Sequence, residues 1–192
     1  MDLVSFCVIP EHDPTKEGEL DSFDMLKFIG ASSKRISRSS IRNERLIAGV
    51  DFSFNYHENT PLGWKPHLYG IVITDDAKFV RKALKEVFPC HSQARRPVRT
   101  KLVSDGDWAK VLSYAYKNGG SGFYAKSSYR TQSAVSGRDY QGSRKNRLTS
   151  SQRFELSSYL LQHNVGDRLL LRGLRRDPIA LHLQPRLRLQ QP

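Results

Sequence analysis

Apolar residues fall along this chain with two periods, and the switches between them mark out its elements. Residues 3–9 carry Leu3, Val4, Phe6, Cys7, Val8 and Ile9 and stop at Pro10, which predicts a strand. Residues 11–19 are acidic, contain Pro14 and Gly18, and read as a loop. From Asp21, a candidate N-cap, Phe23, Leu26 and Ile29 follow the helical period to about Arg35. Residues 46–56 return to period two. Ile47, Gly49, Asp51, Ser53 and Asn55 fall on one face, and Ala48, Val50, Phe52, Phe54 and Tyr56 on the other, which is the core side. A turn-rich stretch from Asn59 to Gly63 leads into a second run at 67–74, so the two predict an antiparallel hairpin. Asp75 or Asp76 then caps a helix with Phe79, Val80, Ala83, Leu84 and Val87 inside and Lys78, Arg81, Lys82 and Lys85 outside; Pro89 ends it. A further strand at 97–103 and a turn at 104–106 precede a helix from Asp107 or Trp108. Its inner stripe is Trp108, Val111, Leu112 and Ala115, and Gly119 and Gly120 stop it.

The order strand, helix, strand, strand, helix, strand is that of a split βαβ unit. The predicted fold class is therefore α+β: a ferredoxin-like (split βαβ) antiparallel sheet with helices on one face, plus a basic helical C-terminal appendage. Residues 1–120 make up this domain. Residues 121–148 are rich in Gly, Ser and cations, interleaved with Phe123, Tyr124, Tyr129 and Tyr140, and are too poor in apolar residues for a core of their own; they read as a basic linker. Thr149 and Gln152 form a capping box that opens a helix to about Gln162, and a short turn at 164–166 leads to a second helix over 167–176. Residues 149–177 thus predict a helical hairpin, with the geometry of a helix-turn-helix available to it. Its second member places Arg168, Arg172, Arg175 and Arg176 on one basic face. Residues 178–192 read as a tail without fixed structure.

Charge sharpens this division. The formal net charge is +12, but residues 1–119 hold 18 Lys and Arg against 15 Asp and Glu, whereas residues 120–192 hold 13 against 4. A balanced body with a basic last third suits a polyanionic partner, because each neutralised phosphate releases condensed counterions; a solvated tail is the plainer alternative. Cys7 and Cys90 are too few and too far apart for a disulfide framework or a zinc site. No apolar run approaches the length of a membrane span, so the reading is a soluble, cytoplasmic protein without a membrane partner.

Three stretches in fixed order carry the chemistry: 4–10, then Pro66-His-Leu-Tyr-Gly-Ile-Val-Ile73, then Val111-Leu-Ser-Tyr-Ala-Tyr-Lys117. The second resembles the metal-binding strand of HUH-type rolling-circle replication initiators and relaxases, in which two histidines flank one hydrophobic residue. The third resembles their tyrosine motif, and the first their initial strand, so the resemblance covers roughly residues 3–120. It implies an endonuclease of a plasmid or other mobile element that nicks and rejoins DNA, single-stranded or hairpin, through a covalent 5′-phosphotyrosine. By that resemblance Tyr114 is the nucleophile, Tyr116 its reserve two residues on, and Lys117 an auxiliary cation one turn away. A divalent cation, Mg or Mn, is implied as cofactor, with His67 as ligand.

The sequence departs from the family at the second histidine position, which is Tyr69. A phenol with an ordinary pKa of about 10 is a poor ligand for magnesium or manganese near neutral pH. His57, at the end of the preceding strand, or Glu58 and Asp51, are the candidates to complete a different set. The alternative function is a non-catalytic nucleic-acid binding protein that relies on its basic C-terminal tail.

Overall fold

The two longest strands carry the densest apolar pattern and form the spine of the molecule. The computed structural model describes residues 2–57, 60–92, 94–104, 106–115, 124–132, 139–176 and 181–183. In it β2 (Arg45–His57) and β3 (Thr60–Thr74) pair antiparallel, with Phe54 opposite Trp64 and Asp51 opposite His67. On the other side of β3 lies β1 (Asp2–Val8), and beyond it β4 (Val98–Leu102), each antiparallel to its neighbour. The outer edge of β2 is shared. β5 (Tyr124–Gln132) runs parallel along residues 53–57 and pairs with β6 (Asp139–Asn146), while β7 (Leu169–Arg172) runs antiparallel along residues 46–49. The protein is thus a mixed α+β fold, and its sheet is mixed rather than wholly antiparallel.

One face of the sheet carries the hydrophobic core. Val4, Phe6 and Val8 of β1, Phe52 and Phe54 of β2, and Trp64, Leu68 and Val72 of β3 alternate onto it and are almost completely buried. Three helices cover them. α1 (Met25–Ser37) buries Met25, Phe28 and Ile36, and α2 (Ala77–Val87) buries Val80, Ala83 and Leu84. α4 (Ser150–Leu161) buries Leu156, Tyr159 and Leu160. The α1 N-cap is Asp24, which accepts from the Lys27 N–H at 2.8 Å, three residues after the expected Asp21; the stripe shifts with it and leaves Leu26 exposed. Asp76 caps α2 and the Thr149 capping box opens α4, as their sequences predict. The core side of the β2–β3 hairpin is roofed to its tip by α4: Tyr159 packs edge-on against Phe52, Glu155 accepts from the Trp64 indole, and Gln152 donates to the Tyr56 hydroxyl. α3 (Trp108–Ala115) runs against β2 and β3, whose second face is the one turned away from this core. Trp108, expected in its inner stripe, is exposed.

Gly70 shows how tightly β2 and β3 approach each other. A Cβ there would sit 2.3 Å from the Ile47 carbonyl oxygen, so no side chain fits at this position.

Two segments depart from expectation. The supposed linker contributes β5 and β6, because a sheet edge rewards backbone pairing even where side chains are polar; Ala125, opposite Phe54, is buried. The supposed second helix of a C-terminal hairpin is a single 3-10 turn, Val165–Arg168, followed by β7 and β8 (Leu174–Arg176). The apolar run Leu169 to Leu171 satisfies either period, and the vacant edge of β2 decides in favour of a strand. Gly173, at φ +63°, turns the chain between the two strands. β8 pairs with β9 (Leu181–Leu183) inside the expected tail, whose other residues, 178–180 and 184–192, lie outside the described ones.

Candidate functional site

Strand alternation puts Lys65, His67, Tyr69 and Ile71 of β3 on the second face, beside Ile47, Asp51, Ser53 and Asn55 of β2. Four of these residues are polar and yet buried: Asp51, Ser53, Asn55 and His67 are none of them more than 9 % exposed. Three of them, Asn55, Ser53 and His67, form a hydrogen-bonded row. The Asn55 amide donates to the Ser53 carbonyl at 3.0 Å and to its Oγ at 3.2 Å, and Ser53 Oγ lies 3.3 Å from His67 Nε2. A serine Oγ has two acceptor lone pairs, so it can take the Nε2 proton as well as the Asn55 amide, and that tautomer leaves the ring lone pair of His67 on Nδ1. Asp51 stands opposite His67 in the strand register and accepts the Phe52 N–H at 3.0 Å. Residues 50–52 are a part of the β2 edge that neither β5 nor β7 reaches, so this carboxylate supplies an acceptor where, among the described residues, no strand runs alongside.

Cations surround the row. Lys65 is paired in register with Ser53, Lys126 with Asn55, Lys145 with Lys126, and Arg99 with Cys7. Burial lowers the Lys126 pKa, and Arg99 and Lys145 lower it further, with Cys7 opposing. Burial, then the repulsion of Lys126, lowers that of Lys65, against the pull of Asp13. Arg99 and Cys7 belong to strands four and three places from β5 in the sheet order, so the sheet curls and brings these groups over one surface.

The residues singled out from sequence are placed unequally. His67 is central on β3, and Tyr114 is in the last turn of α3, against β2 and β3; the Tyr114 side chain, and Tyr116 and Lys117 entirely, lie outside the described residues. His57 does not join His67: it pairs with Thr60, six residues along β2 from Asp51, which is about 20 Å at ~3.3 Å per strand residue. Glu58 lies outside the described residues. The four arginines make no helical basic face. Arg168 is buried where the 3-10 turn meets α1, and Arg172 is half-buried on β7 with its Nε donating to the Arg42 carbonyl; burial lowers the pKa of both. Arg175 and Arg176 are on β8. An open cleft of about 390 Å³ lies at the start of α1, among His12, Phe23, Asp24, Lys27 and Arg35, and takes in none of the residues expected from sequence.

A divalent cation is testable against this donor set. One imidazole and one carboxylate face each other in His67 and Asp51, and hard cations accept one or two carboxylates with water and phosphate oxygens completing the shell. The pair fits magnesium or manganese in imidazole-and-carboxylate form, not in the two-imidazole form that the resemblance implies. Among the described residues no group of three or more His, Cys, Asp and Glu comes together. No helix among them is long and apolar enough to cross a membrane. Ser53, Asn55, Lys65 and Lys126 carry no motif. The legible trace of the site is a polar residue at 51, 53 and 55 in an otherwise apolar strand, while Lys126 arrives through a parallel pairing that no local pattern encodes.

No family model, no curated protein and no solved structure matches the chain.

Proposed function

We propose that the chain is a replication-initiator-like DNA-processing protein that nicks and joins a single strand through Tyr114. The observation that carries this reading is the packing of α3, the tyrosine helix, against β2 and β3, the two strands that hold His67, Asp51, Ser53 and Asn55. The strand order β4-β1-β3-β2, antiparallel throughout, supports reading the first 102 residues as a split βαβ unit of the ferredoxin-like kind. In the step itself the Tyr114 phenolic oxygen forms a bond to phosphorus and gives up its proton. The bond from phosphorus to the 3′ oxygen breaks, and that oxygen takes up a proton to become the hydroxyl. The Asn55–Ser53–His67 row holds the imidazole in one orientation, and a cation bound by His67 and Asp51 would neutralise charge on the phosphate oxygens. The test is covalent labelling: wild type becomes attached to a labelled single-stranded oligonucleotide and Tyr114→Phe does not. Equal labelling of the two proteins removes Tyr114 from the chemistry.

Tyr69, where the resemblance calls for a second histidine, favours a second reading: a nucleic-acid binding protein of the same architecture without strand cleavage. It is characterised by steeply salt-dependent binding, no adduct and no metal requirement.

A further inference from the structure

We propose that Lys65 and Lys126, assisted by Arg99, form a cradle for a backbone phosphate of a single-stranded polynucleotide, on the same face as His67. The proposal rests on the reading of that face as a polynucleotide surface and adds which groups hold the strand. Its basis is placement. Lys65 and Lys126 come from β3 and β5 and bracket the same two residues of β2, Ser53 and Asn55. Both are half-buried, whereas the lysines and arginine on the outside of α2 are exposed. An ammonium held partly out of water beside other cations is disfavoured in the empty protein. A phosphodiester between them replaces repulsion with charge-assisted hydrogen bonds, so the energy spent gathering the cations is recovered on binding.

The ligand class is that of the proposed function, and adjacency across strands is what sets these cations apart. Lys65 on β3 and Lys126 on β5 flank β2, and Lys145 on β6 is the register partner of Lys126, so cations on three strands follow one another across the face. Such a run tracks a phosphate backbone. Four cations at 78, 81, 82 and 85 on α2 are exposed and stand on a single helix, and that face serves as a control for simple charge.

Binding is measured with fluorescent oligo-dT and oligo-rU, and with inorganic phosphate as a separate probe, for wild type, Lys65→Gln, Lys126→Gln, the two Lys→Arg variants and Lys82→Gln. Lys65→Gln and Lys126→Gln each weaken binding of at least one oligonucleotide about tenfold, the lower end of the worth of a hydrogen bond to a charged group. Each also lowers the salt slope by about 0.7, the value for one single-strand phosphate contact. The arginine variants keep most of the affinity, and thermal midpoints of the glutamine variants do not fall. Losses no greater than that of Lys82→Gln overturn the cradle, as does a loss seen with inorganic phosphate and with neither oligonucleotide. Nicking is scored independently. Weakened binding without any Tyr114 adduct retains the cradle and removes the nuclease, and an adduct with unweakened binding does the reverse.

Discussion

Lys65 and Lys126 tie the site to folding stability. Burial, together with the neighbouring cations, lowers both from the ordinary 10.5. Between the lowered value and 10.5 the unfolded chain binds more protons than the folded one, so stability rises with pH in that window; below it the cost of the buried charges is fully present. The doubly substituted Lys65→Gln/Lys126→Gln protein is therefore more stable than wild type at neutral pH, and the gap narrows as pH climbs toward 10.5. Urea midpoints across that range check this, and a gap that stays constant contradicts it. Residue-level chemistry was only partly legible in the sequence. His67 and Asp51 stood out as polar residues in apolar strands, and their register shows that they oppose each other. His57 looked equivalent to Asp51 because alternation says which face a residue takes, not how far along a long strand it sits. Trp64 carries no local signal, yet it is fully buried with its indole donating to Glu155, because its environment is assembled by α4, whose Glu155 is 91 residues away.

At the scale of elements, α4 acts as a polar clamp as well as a hydrophobic lid. One Glu155 oxygen accepts from the Gly18 and Leu20 N–H groups at 2.8 and 2.9 Å, and the other from Trp64 Nε1 at 2.9 Å. The carboxylate thus fixes the acidic loop before α1 to the β2–β3 hairpin. Glu155→Gln turns an amide NH₂ toward donors and is expected to cost about 2 kcal/mol, read from the denaturant midpoint; a change within ~0.5 kcal/mol would mean that water satisfies those donors equally well. The elements legible from the chain were those with strong local signals: α2 and α4 from period and caps, β2 from alternation. The elements that escaped were recruited by the β2 edge. β5 and β6 are polar, and β7 has a run that suits a helix as well, so neither identity can be settled by a local pattern when the partner strand is remote.

At the scale of the whole molecule, the division into a folded body and a basic appendage does not describe what the chain does. The last third closes the sheet: β5 and β7 pair along β2, and α4 roofs the core. Part of its charge is built in, with Arg168 buried and Lys126 and Arg172 half-buried, while Arg144, Lys145, Arg147 and Arg153 are exposed. The first 102 residues nevertheless set the strand order on which the rest is hung, which is why the opening pattern of strands and helices could be read without the remainder.

Completion of β2 by distant segments has one more consequence. A chain cut at residue 120 would leave a thirteen-residue strand, buried along most of its length in the intact protein, with one whole margin of N–H and C=O groups bare. Such a border recruits neighbours. The shortened protein is expected to self-associate as its concentration rises, seen by light scattering or sedimentation, while the full chain at equal concentration does not; a monomeric, stable fragment would mean that the C-terminal strands are ornament and not closure.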